Sequence, residues 1–314
     1  MKKSPPKRPG KNVVDPKDLK RPVKVPPVLA SEIKKPDSFS NFRREWDALL
    51  EASEDSAWHT PIISSDEVTY HKANEVEGGL VFCDDAVNLL KSLPDESIDL
   101  CIFDPAYESL EKHRRQGTTT RLKHSKASSN DWFATFPNTS YFPLFEQLYR
   151  VMKKGTHVYM FCDEETRDVV VSGTKPQEDY RYPWDAPPIA HAGFKYWKAV
   201  VWDKIHAGIG YHFRASYEFV LMLEKVERKG KHRKVNDLGP RDVQRFQRLK
   251  GPKFYPTEKP IGLMKLLIQQ STNVGDTVLD MFAGSGVVGQ ACVELDRRFI
   301  LGDLKIDEIM KRLG

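Results

Sequence analysis

Apolar residues follow two regimes along the chain. Residues 1–40 mix prolines and lysines with isolated apolar positions and show no helical or strand period, which predicts an extended or disordered tail. Residues 41–56 have the spacing of a short helix. From Gly79 onward, short apolar runs alternate with amphipathic stretches. Gly79–Phe82 reads as a strand, Ala86–Leu93 as an amphipathic helix, and Ile98–Phe103, a continuous apolar run, as a buried strand. Tyr141–Met152 predicts a helix that stops near Gly155, and Thr156–Cys162 the next strand. Phe194–Asp203 and Tyr217–Glu224 read as strands joined through Gly208 and Gly210, hence as an antiparallel pair. Pro260–Ser271 predicts a helix with proline near its first turn, Thr277–Phe282 a strand, Gly286–Leu295 a helix and Arg298–Leu304 a strand. Strands alternating with helices predict an α/β fold with a mainly parallel sheet.

Composition narrows the class. The 314 residues suit either two domains of ~150 residues or one enlarged α/β domain. With 39% hydrophobic and 11% aromatic residues, a wholly disordered chain is excluded. No window approaches the ~18 consecutive apolar residues of a membrane span. The opening Met-Lys-Lys-Ser-Pro-Pro lacks the apolar stretch of a secretory signal. Cys83, Cys101, Cys162 and Cys292 are far apart, so neither a zinc site nor a disulfide framework is expected, and a reducing cytoplasm is the expected location. The histidines show no metal-ligand spacing, so no metal is expected.

Charge changes the picture more. The net charge is only +5, but residues 1–28 carry +7, residues 111–126 carry +5 and residues 224–253 carry +7, leaving the rest of the chain at −14. A single basic tail is often just solvated. Three separate basic stretches on an acidic body suit contacts to phosphates, hence to nucleic acid.

Two corners carry candidate chemistry. Val278–Gly289 runs from strand through a glycine turn into helix, and Gly284, Gly286 and Gly289 match G-x-G-x-x-G, with Asp303 ending the following strand. Glycines allow a ligand close to the backbone, the helix start offers free N–H groups, and Asp303 could accept from ribose hydroxyls. The pattern alone fits a dinucleotide site, a single-nucleoside site or a plain tight turn. Only eleven residues follow Asp303, without a further βαβ half, which favours a single nucleoside. The second corner is Asp104-Pro105-Ala106-Tyr107, an acid at the end of a buried strand followed by a forced turn and an aromatic. Asp104 and the carbonyl beside Pro105 could accept two N–H groups from an exocyclic amine, and Tyr107 could offer a face to a base rotated out of its helix. An ordinary Asp-Pro turn also fits.

Taken together these residues resemble a family. Asp104-Pro-Ala-Tyr107 is similar to the Asp-Pro-Pro-Tyr motif of the DNA amino-methyltransferases, which methylate N6 of adenine or N4 of cytosine, and Phe282-Ala-Gly-Ser-Gly286 resembles their F-x-G-x-G loop. The catalytic motif precedes the cofactor motif, as in the circularly permuted β group. Leu93–Leu100, Trp202-Asp-Lys204, Tyr217-Glu218 and Tyr255-Pro-Thr-Glu-Lys-Pro260 (beside the family's H-P-T-Q-K-P) extend the likeness over residues 79–314.

The resemblance implies a Rossmann-like methyltransferase fold, a seven-stranded mixed sheet with one antiparallel strand. It implies a catalytic domain over 79–314 with a short target-recognition insert near 224–253, which leaves the tail (1–40) and an N-terminal extension (41–78) outside it. It implies S-adenosylmethionine as cofactor and double-stranded DNA as partner, and it admits a homodimer. By analogy Asp104, Pro105 and Tyr107 handle the target base. Asp280, Phe282, Ala283, Gly284, Ser285 and Gly286 line the cofactor, and Asp303 holds its ribose. Thr257, Lys259 and Pro260 stand near its methionine end, where Lys259 could pair with the carboxylate. Lys112, Arg114, Arg115, Arg121 and Lys123 follow the catalytic corner and are expected to contact the DNA backbone. Aspartate at the first motif position points to adenine, with N4-cytosine as the alternative and RNA as a lesser one. A non-catalytic DNA-binding protein that keeps the fold stays open as a different class. Ala106 in place of the second proline, and Tyr255 and Glu258 in place of His and Gln, depart from the pattern.

Overall fold

The computed structural model describes residues 73–109, 134–172, 186–206, 213–228, 230–249 and 257–314. The predicted tail, the helix over 41–56 and the basic run 111–126 lie outside the described residues.

Among the described residues nine strands form one sheet: β1 (Asn74–Val76), β2 (Gly79–Cys83), β3 (Ile98–Phe103), β4 (Met152–Cys162), β5 (Lys195–Asp203), β6 (Tyr217–Lys225), β7 (Val243–Arg245), β8 (Thr277–Asp280) and β9 (Arg298–Asp303). Their order is β1-β2-β9-β8-β3-β4-β6-β5-β7. β2, β9, β8, β3 and β4 pair in parallel, and β6 lies antiparallel between β4 and β5. This is the expected seven-stranded sheet with its one reversed strand. Two short edge strands enlarge it to nine: β1 runs antiparallel to β2, and β7 parallel to β5.

The central strands are buried on both faces, so successive apolar residues serve opposite cores. On β3, Cys101 and Phe103 join one cluster while Leu100 and Ile102 join the other. Helices α1 (Ala86–Ser92) and α2 (Tyr141–Val151) cover the first face with Leu89, Leu90, Leu144, Phe145 and Leu148. Helices α3 (Ile261–Ser271), α4 (Val287–Val293) and α5 (Asp307–Leu313) cover the second with Leu263, Ile268, Ala291 and Ile309. Asp85 caps α1 by accepting from the Val87 and Asn88 amides.

The largest shift of a predicted boundary is at the start of β4. β4 starts at Met152, which pairs with Ile98, whereas Leu100 pairs with His157, so the residues around Gly155 (φ +72°) form an irregular stretch inside the strand. Among the described residues no helix is long and apolar enough to cross a membrane.

Candidate active site

The two corners leave adjacent parallel strands at the same end. β3 ends at Phe103 and delivers Asp104; β8 ends at Asp280 and delivers the glycine turn; Cys101 stands beside Leu279 in the pairing. From β8 the chain continues through α4 to β9 on one side, while β3 continues to β4 on the other. The crevice at such a reversal of strand order is where open α/β sheets bind ligands.

The glycine turn is shaped to receive something. Gly286 has φ +73°, a conformation a side chain disfavours, and starts α4. The third glycine of the pattern serves packing: a Cβ on Gly289 would lie 2.7 Å from Leu313 Cδ1 and 2.8 Å from Leu301 Cδ1. Asp280 is buried and accepts from the Phe282 amide at 2.9 Å; burial pushes its carboxyl well above the usual aspartate range. Asp303 closes the turn by accepting from the Gly284 amide at 2.8 Å. The Ser285 hydroxyl is buried with no hydrogen-bond partner among the described residues, an orphan polar atom that a bound polar ligand would satisfy. Phe282 stacks on Phe103 with ring centres 5.9 Å apart, so the turn packs directly on the strand that carries Asp104.

The Asp104 corner is braced on every side. Pro105 is buried, the Ala106 carbonyl accepts from the Phe136 amide at 2.7 Å, and Glu108 accepts from the Asn138 amide at 2.7 Å. The backbone bond at Ala106 anchors the position where the family's second proline is missing. Tyr107, expected to offer a face to the base, is 8% exposed and joins the core. Its hydroxyl instead donates to Asp104 Oδ1 at 2.5 Å. Burial, reinforced by the Asp104 carboxylate, raises the Tyr107 phenol and keeps it a donor.

Lys259 donates to Asp104 Oδ2 and lies 3.2 Å from Glu218 Oε2, and Lys204 Nζ lies 2.6 Å from Glu218 Oε1. Lys259 was expected beside the cofactor; here its ammonium sits on the Asp104 carboxylate. Burial lifts the Asp104 carboxyl above its ordinary value, Lys259 opposes this and Glu218 adds to it. Burial alone would lower the Lys259 ammonium, but Asp104 and Glu218 hold it above the ordinary lysine range. Thr257 is exposed and Pro260 buried at the start of α3. Glu258 pairs with Arg312 at 2.8 Å, tying this segment to α5, which accounts for an acid where the family has Gln.

Sequence reasoning assigned no role to Glu218 or Lys204. Both stand in motif segments, but their neighbours in space lie far away in the chain. Lys112, Arg114, Arg115, Arg121 and Lys123 lie outside the described residues. The expected recognition insert divides: Lys225 pairs with Thr156, about 20 Å down the strand from Cys162, so the part following it leaves from the far end of the sheet. Among its described residues, Val243–Arg248 return to the end that carries Asp104, bonded along Val201–Lys204.

Comparisons with known proteins agree with this fold. The chain is similar to the DNA adenine methyltransferase YhdJ of Escherichia coli, 26% identical over 248 residues, covering 69% of this chain and 75% of that one. The fold matches M1.HpyAVI, solved in complex with SAM, at 21% identity and a TM-score of 0.52 over 75% of this chain and all of that one. It also matches the cytosine-N4-specific PvuII DNA methyltransferase at 15% identity and a TM-score of 0.53 over 74% of this chain and 84% of that one. The N6/N4 DNA methylase family model matches residues 98–311, and the chain belongs to that family.

Proposed function

We propose that this DNA methylase transfers a methyl group from S-adenosylmethionine to the N6 amine of an adenine rotated out of double-stranded DNA. The observation that carries the reading is the delivery of Asp104 and the glycine turn from neighbouring strands β3 and β8 at one end of the sheet. Asp280, Phe282, Ala283, Gly284, Ser285, Gly286 and Asp303 would hold the cofactor, with Thr257, Lys259 and Pro260 at the crevice's other side. When bound, the cofactor supplies a sulfonium methyl group.

The chain's own part is orientation and proton handling. Each Asp104 oxygen has two lone-pair sites, so with Tyr107 on one and Lys259 on the other the carboxylate can still accept an amine N–H. The carbonyl beside Pro105 accepts the second. Two acceptors turn the nitrogen lone pair away from the ring and toward the methyl group. On methylation the amine would give up one proton, which Asp104 would accept and pass to water. No enzyme nucleophile takes part. Rotating the base out costs a few kcal/mol. Backbone contacts from Lys112, Arg114, Arg115, Arg121 and Lys123 would help meet that cost, and Arg245 and Arg248 stand on the part of the basic insert that reaches the crevice end.

The test is nucleoside analysis after incubation with unmethylated DNA and S-adenosylmethionine, beside RNA and an Asp104→Ala control. N6-methyladenine that disappears in the control is the expected result. N4-methylcytosine would keep the chemistry and overturn the target base; cofactor binding without transfer to any substrate would favour a binding protein.

A further inference from the structure

Four charged side chains alternate in sign across the catalytic corner: Lys204, Glu218, Lys259 and Asp104. They are 20%, 21%, 11% and 26% exposed, so water screens them little. Glu218 lies near the start of β6 opposite Trp202 of β5, and Lys204 follows β5 directly. Aromatic rings back the ammonium groups. Lys259 Nζ lies 5.2 Å from the Phe161 ring centre and 5.8 Å from Trp202, and Lys204 Nζ lies 5.5 Å from Trp202.

Lys259 is therefore divided between two carboxylates, only one of which faces the amine. Whatever share Glu218 takes is not exerted on Asp104. We infer that Glu218, anchored by Lys204, is a positioning residue that sets how firmly Lys259 grips Asp104. The inference rests on the methyl-transfer reading. Without Glu218 the ammonium transfers wholly to Asp104, whose oxygens become poorer acceptors. Without Lys204, Glu218 draws Lys259 toward itself and Asp104 becomes more basic. Among the described residues, the other titratable groups facing the cluster are Tyr107, Tyr141, Cys162 and Asp280. Two ammonium groups overcome the burial that would raise Glu218 and hold it below the usual glutamate range.

The two substitutions thus act in opposite directions. The first readout is the titration midpoint of the Asp104 carboxyl carbon, followed by NMR in full-length protein labelled with carbon-13 aspartate and assigned with Asp104→Asn. Glu218→Gln should lower the midpoint by about one pH unit and Lys204→Gln should raise it. The second is the pH profile of kcat on unmethylated DNA. Its acid limb should follow the same two directions, and Glu218→Gln should lower kcat about tenfold, a part of what a placed proton acceptor supplies. Midpoints unchanged in both variants overturn the inference. If Glu218→Gln does not fold, an unshifted or lowered midpoint in Lys204→Gln does so alone. If the wild type methylates no DNA, the functional reading falls while the NMR titration still decides the role of Glu218.

Discussion

Replacing Glu258 by alanine probes how the segment carrying Lys259 is held. Glu258 and Arg312 are 10% and 12% exposed, and they join at 2.8 Å. Removing one partner of a buried ion pair costs roughly 3–5 kcal/mol, because the other charge stays out of water. Arg312 keeps a bond of 2.5 Å to Gln290, which offsets part of that. The expected loss is therefore about 2–3 kcal/mol, or roughly 5–10 °C in Tm for a body of this size. Glu258→Gln retains an acceptor and should lose only about 1 kcal/mol. Urea unfolding of the three proteins measures both values. Activity adds a second readout. Lys259 follows Glu258 directly, so loosening the tether misplaces the ammonium on Asp104. Methyl transfer at a temperature where all three proteins are folded should then fall about tenfold in the alanine variant. An alanine variant within 0.5 kcal/mol of wild type and equally active would refute this account of Glu258.

Gly286→Ala forces a side chain onto φ +73° and brings its Cβ 3.3 Å from Ile309 Cγ2, costing about 1–2 kcal/mol, so calorimetry should show cofactor affinity falling about tenfold. His157 is fully buried between Ser271 and the Arg233 carbonyl, and burial lowers it from 6.5 to about 4. The unfolded chain therefore takes up this proton first. Stability should be complete above pH 6.5, fall as pH drops toward 4 by at most about 3 kcal/mol, and then level off. Unfolding at stepped pH in wild type and His157→Gln checks this, and an identical slope in both would count against it. Asp104→Asn keeps the shape but loses the charge that pairs with Lys259, and kcat should drop at least about a hundredfold with cofactor affinity little changed.

Elements that bury continuous apolar runs were legible in the sequence. Ile98–Phe103 matches β3 at both ends, and the Phe194–Asp203 and Tyr217–Glu224 runs pair as expected. The edge strands were not. Asn74–Val76 and Val243–Arg245 are three residues each, largely polar, and become strands only because β2 and β5 offer free edges. At the site, motif spacing found Asp104 and the glycine turn, whose chemistry is local to a corner. It could not find Glu218, whose meaning depends on a lysine 41 residues further along the chain. Nor could it show that Tyr107 packs into the core with its hydroxyl on Asp104, which depends on burial rather than spacing.

The strand order also has a consequence for how the protein is made. β2 and β3 emerge from the ribosome early, yet they are not neighbours: β9 and β8 lie between them. At about 5–20 residues per second, the stretch from Phe103 to Thr277 takes roughly 10–35 s to synthesise. Throughout that interval the nascent chain holds apolar strands with unpaired edges around an unfilled gap, which invites association with other chains. A messenger cut short before β8 would therefore yield a product missing the middle of its sheet rather than a trimmed edge. Such a product has no route to a closed core and becomes a substrate for chaperones and proteases.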